Sequence, residues 1–200
     1  MARTGQLEIR PLTPATWPAL VRLFAEGGDA KWCWCAFWRV RGADANRSAR
    51  VKNRALLRTL AARSDRAPGL VALRDGRAVG WVSLAPREEF ARLEHSKVLA
   101  RVDDRPVWSI VCYVVSRAAR GRGVASTLLE AAVAYARSHG ATLVEGYPVQ
   151  TDGRRIPAAW AYTGTLEMFE RGGFRVVATR RATPTTRPHP IVRRVIRPRR

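Results

Sequence analysis

A strand, a Gly/Arg-rich turn and a helix follow one another in the middle of the chain, and this succession constrains the fold most. Residues 107–115 are apolar and rich in β-branched side chains, and residues 122–138 place apolar side chains at helical spacing. Between them, Gly121 and Gly123 let the backbone approach an anion without a Cβ in the way. Because the first N–H groups and the dipole of a helix attract negative charge, the sequence predicts an anion site at this turn.

The spacing in this turn matches neither the P-loop nor the dinucleotide-binding motif. From Arg120 to Ala125 it reads R-x-x-G-x-A. Together with the preceding strand and the following helix, it resembles the [QR]-x-x-G-x-[GA] signature of the GCN5-related N-acetyltransferase (GNAT) superfamily. Residues 167–174, a helix ending in Gly-Gly-Phe before a strand, resemble the second signature of that superfamily. The alternative interpretation is a solvated turn before an ordinary helix.

The resemblance implies a binding site for acetyl-CoA as co-substrate, and we expect no metal. The backbone of Tyr113, Val114 and Val115 would pair with the pantetheine arm and polarise the thioester carbonyl. The pyrophosphate would be held by the turn and the first turn of the helix: Arg120, Gly121, Arg122, Gly123, Val124, Ala125 and Ser126. The implied activity is acetyl transfer to a primary amine, a small molecule or a peptide, by direct attack in a ternary complex.

Such a transfer needs a base for the amine proton and an acid for the departing thiolate. Ser109 and Phe169 stand where many members of the superfamily carry a glutamate base and a tyrosine acid. We therefore predict Glu145, on a strand at residues 142–147, as the catalytic base, and Tyr162, at the start of a helix, as the acid. The alternatives are a carboxylate paired with an arginine and a phenol that merely packs.

The segment 31–38, Lys-Trp-Cys-Trp-Cys-Ala-Phe-Trp, is unusually aromatic and is not a general feature of the superfamily. It is interpreted either as a wall of the acceptor pocket or as a corner of the core, the latter favoured for Trp34 and Trp38. Cys33 and Cys35 have no histidine nearby, which predicts free thiols on the acceptor side instead of metal ligands. Cys112 is predicted to be a small buried apolar residue.

The order of predicted elements, β-α-α-β-β-β-α-β-α-β-β, is that of the GNAT superfamily. The predicted fold is α/β (α+β), a mixed, mostly antiparallel sheet of six to seven strands flanked by about four helices, in one domain spanning residues 1–200. Asp75-Gly76 predicts a hairpin turn. Helices are predicted from Thr13-Pro14 to Ala25 and over residues 46–62, 86–93, 122–138 and 158–171.

The net charge is +20, and only three of the 36 basic residues are lysine. This charge would attract the phosphates of CoA, but also nucleic acid or an acidic protein. Two alternatives therefore stay open: a non-catalytic acyl-CoA-binding module or regulator, and a basic nucleic-acid-associated protein, although no nucleic-acid-binding motif is present.

Residues 197–200 form a short basic end. Because no membrane span or signal peptide is evident, we expect a cytoplasmic protein, with homodimerisation left open.

Overall fold

A computed structural model describes residues 5–41 and 49–196 of the chain, and seven strands of this part form one sheet. The strands are β1 (Glu8–Pro11), β2 (Gly69–Arg74), β3 (Arg77–Pro86), β4 (Trp108–Val115), β5 (Leu143–Gly146), β6 (Arg175–Arg180) and β7 (His189–Val195). The helices are α1 (Trp17–Ala25), α2 (Ala30–Cys33), α3 (Arg50–Ala61), α4 (Ala91–Glu94), α5 (Val124–Ser138) and α6 (Leu166–Arg171). Single 3₁₀ turns lie at Arg87–Glu89 and Arg117–Ala119.

The strands are ordered β1-β2-β3-β4-β5-β7-β6, and every neighbouring pair is antiparallel except β4 and β5. Parallel strands need a long crossover, which α5 supplies. The pairing of β4 with β5 ends at Ile110, which faces Gly146. Since β4 continues to Val115, no strand of the described residues pairs with its carboxyl-terminal half on that side, and a cleft opens there. Val111 is an extra residue on β4 relative to β3, a bulge that increases the local twist.

Each face of the sheet carries its own apolar layer. On one face α1, α2 and α3 pack around Trp81, which is fully buried. On the other face α5 and α6 cover the sheet, with Leu128 and Phe169 at the centre. Phe169 lies against Gly146, where a Cβ would come within 2.3 Å of its ring. Burying a ring of this size stabilises the fold by about 1.5–3 kcal/mol.

The predicted fold class is confirmed, as is the Asp75-Gly76 turn, in which both residues have positive φ. Six helices are present in the described residues instead of about four: α2, a single turn, was not predicted, and α4, also a single turn, lies in the short helix predicted over 86–93. The predicted helix over 86–93 is split into the first 3₁₀ turn and α4. Residues 46–48 of the predicted second helix, and the basic end 197–200, lie outside the described residues.

Two helix starts were predicted wrongly. Helix α1 begins at Trp17 instead of Pro14, because the Thr16 hydroxyl accepts the Thr13 N–H and turns the chain first. Helix α6 begins at Leu166 instead of residue 158, since Thr165 accepts the N–H of Met168 as the N-cap and Gly164 has φ +85°. Residues 158–165 therefore form an irregular segment. Within the described part of the chain, no helix is long and apolar enough to span a bilayer.

Candidate active site

The divergence of β4 from β5 opens a cavity of about 820 Å³. Four parts of the chain line it: the carboxyl-terminal half of β4, the Gly/Arg turn with the start of α5, residues 27–38 around α2, and the irregular segment 158–165. The predicted anion turn and the aromatic segment, about 90 residues apart in sequence, thus share one cleft. We call the end of the cleft at the turn its donor end and the end at residues 27–38 its acceptor end, after the roles that the sequence predicts for them.

The donor end has the geometry of an anion site. Gly121 and Gly123 have φ values of +71° and +76°, which glycine adopts without strain, and a Cβ at either would meet only open space. Gly123 lines the cleft and is the N-cap of α5, a helix of 15 residues. The first N–H groups of α5 are therefore directed at the cleft. Arg120 lines the cleft and its Nε donates to the Val115 carbonyl at 3.2 Å. These features fit a diphosphate.

The residues predicted for acetyl-CoA line the cleft, with one exception. Arg122 lies at a separate shallow hollow next to Arg74 and Arg77, so its side chain is directed away from the cleft. Sequence reasoning missed Arg171, a second cation that lines the cavity. It stands at the end of α6, and only the packing of α6 against α5 brings it to this place.

Tyr162 lies between the two ends of the cleft. Its carbonyl accepts the N–H of Tyr113 at 2.6 Å, which ties the segment 158–165 to the unpaired edge of β4. Its phenol lines the cavity, and its ring lies 6.5 Å from that of Trp38. Burial raises the pKa of Tyr162 to about 12, so the hydroxyl stays protonated at neutral pH and can donate a proton. The residue is not on a helix, contrary to the prediction.

Glu145 lies in a buried ion-pair network and not among the residues that line the cleft. Its Oε1 accepts from the Tyr147 hydroxyl at 2.6 Å and from Arg87 at 3.1 Å, and its Oε2 accepts from Arg193 at 2.6 Å. The Tyr147 hydroxyl also contacts the hydroxyl of buried Ser109 at 2.8 Å. The catalytic role of Glu145 stays a prediction, but this geometry favours the alternative, a carboxylate paired with arginines.

All three cysteines line the cleft as free thiols. The sulfur atoms of Cys35 and Cys112 are 3.1 Å apart, and both residues are buried. A hydrogen bond with Cys35, together with burial, raises the pKa of Cys33 far above its usual range. The hydrogen bond with Cys112, together with burial, also raises the pKa of Cys35, and protonated thiols are poor nucleophiles, so neither Cys33 nor Cys35 is activated for covalent catalysis. Among the described residues, no three or more side chains are grouped as metal ligands.

The aromatic segment is both a wall of the cleft and a corner of the core. Trp34 is buried between Trp17 and Phe24, with ring centroids at 5.6 and 5.3 Å. Trp38 is buried as well but also lines the acceptor end, together with half-exposed Trp32 and Phe37. Thus the two interpretations of this segment apply to different residues of it.

The mixed sheet, the separated β4 and β5 and the anion turn together define the class of protein, an acetyltransferase of the GNAT type. The model of the acetyltransferase (GNAT) family matches residues 29–155, and the chain therefore belongs to this family, whose co-substrate is acetyl-CoA. A search of curated proteins gives no significant match.

Several solved structures share the fold across nearly the whole chain. A GCN5-related N-acetyltransferase from Kribbella flavida is 22% identical, with a TM-score of 0.56 over 95% of this chain and 98% of that one. An acetyltransferase from Salmonella typhimurium, solved with acetyl-CoA, is 17% identical, with a TM-score of 0.55 over 98% and 96%. The Drosophila melanogaster polyamine N-acetyltransferase is 14% identical, with a TM-score of 0.56 over 96% and 100%.

Proposed function

We propose that this protein transfers the acetyl group of acetyl-CoA to a small primary amine by direct attack in a ternary complex. The observation that carries the proposal is the single cleft in which the anion turn and an aromatic acceptor wall face each other. Direct transfer is favoured over a covalent intermediate because the pKa values of Cys33 and Cys35 are raised and the sulfur of Cys112 is buried against that of Cys35.

In this proposal, residues of the chain bind and orient acetyl-CoA and protonate the departing sulfur. The N–H groups at the start of α5, with Arg120 and Arg171, hold the diphosphate. Since the Tyr113 N–H is bonded to the Tyr162 carbonyl, the part of the β4 edge that aligns the pantetheine arm is at Val114 and Val115. When bound, acetyl-CoA supplies an activated thioester. Tyr162 donates its phenolic proton to the departing sulfur, a role supported by its position between the two ends of the cleft. Its raised pKa keeps the hydroxyl protonated but also makes it a weaker acid.

The structure supports a particular residue as the catalytic base less clearly than it supports Tyr162 as the acid. Glu145 is the carboxylate predicted for it, and its pairing with Arg87 and Arg193 would have to open before it could take a proton. We propose that its main contribution is to hold β5 and β7 in place beside the cleft. The amine would then react from its own free-base fraction.

The test is an acceptor panel with acetyl-CoA, in which loss of the thioester is followed by its ultraviolet absorbance and the acetylated amine is identified by mass spectrometry. Calorimetry with CoA is run on the same preparation. We expect CoA binding and turnover with at least one primary amine. CoA binding without turnover on any acceptor would instead support the alternative of a non-catalytic acyl-CoA-binding module, and absence of both would contradict the assignment of the cleft.

A further inference from the structure

A second concave site lies beside the Gly/Arg turn, outside the cleft. It is a hollow of about 510 Å³ between the tip of the β2–β3 hairpin and the 3₁₀ turn Arg117–Ala119. Ala119 lines both the hollow and the cleft, so the two adjoin at this residue. The Ser116 N–H donates to the Val79 carbonyl at 3.0 Å, which holds the hairpin against the turn. The hollow is therefore fixed in position next to the donor end of the cleft.

Three arginines line the hollow: Arg74 and Arg77 from the hairpin and Arg122 from the turn. None of them forms an ion pair with a carboxylate among the described residues. Asp75 also lines the hollow, but its carboxylate lies against Gly5, where an added Cβ would overlap it. Positive charge therefore exceeds negative charge around this concave surface, which creates a local potential that attracts anions.

The chemistry of the three side chains favours phosphate among anions. A guanidinium group is planar, stays protonated and presents paired N–H donors that match two oxygens of one phosphate. A phosphate monoester carries nearly two negative charges and three strong acceptor oxygens, so it can engage more than one such group. The other residues that line the hollow carry no charge, and none of them competes for the arginines: Val79, Ser116, Ala118 and Ala119.

Acetyl-CoA, the co-substrate of this family, carries a phosphate monoester besides its diphosphate. The monoester is on the 3′ oxygen of the ribose whose 5′ oxygen is bonded to the diphosphate. A diphosphate at the donor end therefore brings the 3′-phosphate within one sugar of the turn, and the hollow adjoins that turn.

We propose that Arg74, Arg77 and Arg122 form a binding site for a phosphate monoester, and that its ligand is the 3′-phosphate of CoA. Arg74 and Arg77 belong to the hairpin, outside both sequence signatures of the family. The proposal rests on the diphosphate position proposed above, but not on the transfer reaction. A separate phosphorylated compound presents the same chemical group, and the experiments distinguish this source from CoA.

The first experiment compares CoA with dephospho-CoA, which lacks only the 3′-phosphate, by calorimetry in a buffer without phosphate. Arg77 and Arg122 are exposed, so water and salt screen part of their charge. We therefore expect CoA to bind about tenfold more tightly than dephospho-CoA at low salt. Equal affinity of the two compounds would overturn the assignment of the 3′-phosphate to this hollow.

Variants then assign the preference to the hollow. Arg77→Gln and Arg122→Gln should each lower the affinity for CoA about 3- to 10-fold and leave the affinity for dephospho-CoA unchanged. Arg58→Gln removes an exposed charge from α3 and should preserve the preference, as the control for net charge. If Arg171→Gln abolishes the preference while both hollow variants keep it, the 3′-phosphate lies on the α6 side of the cleft and the proposal is wrong.

Inorganic phosphate distinguishes the two sources of the ligand. Its binding is followed by phosphorus NMR with the wild type and with Arg77→Gln, in the absence of CoA. If dephospho-CoA binds as tightly as CoA while inorganic phosphate binds in an Arg77-dependent manner, the phosphate site stands and its assignment to CoA falls. If neither phosphate binding nor the preference for CoA depends on Arg77 and Arg122, the site itself is refuted. None of these measurements needs an acceptor, so failure of acetyl transfer would leave their result intact.

Discussion

Tyr162 connects the two halves of the site, because its carbonyl is bonded to β4 while its phenol lies in the cleft. We expect Tyr162→Phe to lower kcat about 10- to 100-fold, since the ring keeps its contact with Trp38 but the proton donor is lost. The KM for acetyl-CoA should change little. Steady-state kinetics with varied acetyl-CoA measures both constants, and full turnover by the variant would rule out the acid role.

The raised pKa of Tyr162 also predicts the pH profile. An acid works in its protonated form, and with a pKa of about 12 this phenol stays protonated throughout the range in which amines titrate. The rate should therefore rise with pH as the acceptor amine loses its proton and should not decline before about pH 11. A profile recorded between pH 6 and about pH 10 that falls at the alkaline end would contradict this assignment.

Glu145→Gln separates the two roles considered for this residue. The substitution keeps the shape but leaves Arg87 and Arg193 without their buried counter-charge, which we expect to destabilise the fold by about 3–5 kcal/mol. Turnover per folded molecule should stay within a few-fold of the wild type. Glu8→Gln, at an exposed pair with Arg10, is the matched control and should change stability by less than about 1 kcal/mol.

Urea unfolding and kinetics on the same preparations decide between the two roles of Glu145. A variant that is as stable as the wild type but about a hundredfold slower would restore Glu145 as the base.

At the scale of elements, the turn before α5 should determine CoA affinity. Gly123→Asp imposes a strained positive φ and adds a carboxylate where the diphosphate is expected, so CoA affinity should fall at least about tenfold. Gly140→Asp is the matched control: Gly140 has φ +81°, follows the other end of α5 and also faces open space. Calorimetry with CoA that finds equal losses for both variants would contradict the site.

The ion pairs of Glu89, in the 3₁₀ turn Arg87–Glu89, should make the free energy of unfolding depend on pH in the acidic range. Burial opposes its ionisation, but Arg39 and Arg66 outweigh burial and hold the pKa of Glu89 below its ordinary value. A lowered folded-state pKa contributes stability that is complete above the ordinary pKa and is lost as the pH falls through the folded-state value. The difference in unfolding free energy between wild type and Glu89→Gln should therefore be largest near neutral pH and vanish in strong acid. Urea titrations at several pH values test this, and a constant difference would refute it.

Elements whose signals are local could be predicted from the sequence. The β2–β3 hairpin needs only Asp75-Gly76 between alternating strands, and α5 needs only its apolar period. The segment 158–165 could not be predicted in this way. Its apolar residues suit a helix, but the bond from Tyr113 to the Tyr162 carbonyl and the cap at Thr165 hold it in an irregular conformation.

For the whole molecule, the net charge of +20 predicts a strong salt dependence of co-substrate binding. Because CoA carries a diphosphate and a further phosphate, the field of the protein should assist its capture, and added salt should screen that field. We expect the KM for acetyl-CoA to rise several-fold between low and about 0.5 M NaCl, with kcat nearly constant. Steady-state kinetics at several NaCl concentrations, with an acceptor that carries no charge besides its amine, measures this dependence. A KM for acetyl-CoA that does not change with salt would show that local contacts alone account for binding.

The sequence by itself determined the family, the sheet and the donor end of the cleft, because a strand, a glycine turn and a helix start are contiguous and bind through their backbone. The acceptor end and the partners of Glu145 were decided only by the tertiary structure. Arg87, Glu145 and Arg193 come from a 3₁₀ turn and two strands, and Trp38 meets Arg92 across 54 positions of sequence. Side-chain pairing over such separations depends on how the layers pack, and no local pattern encodes it.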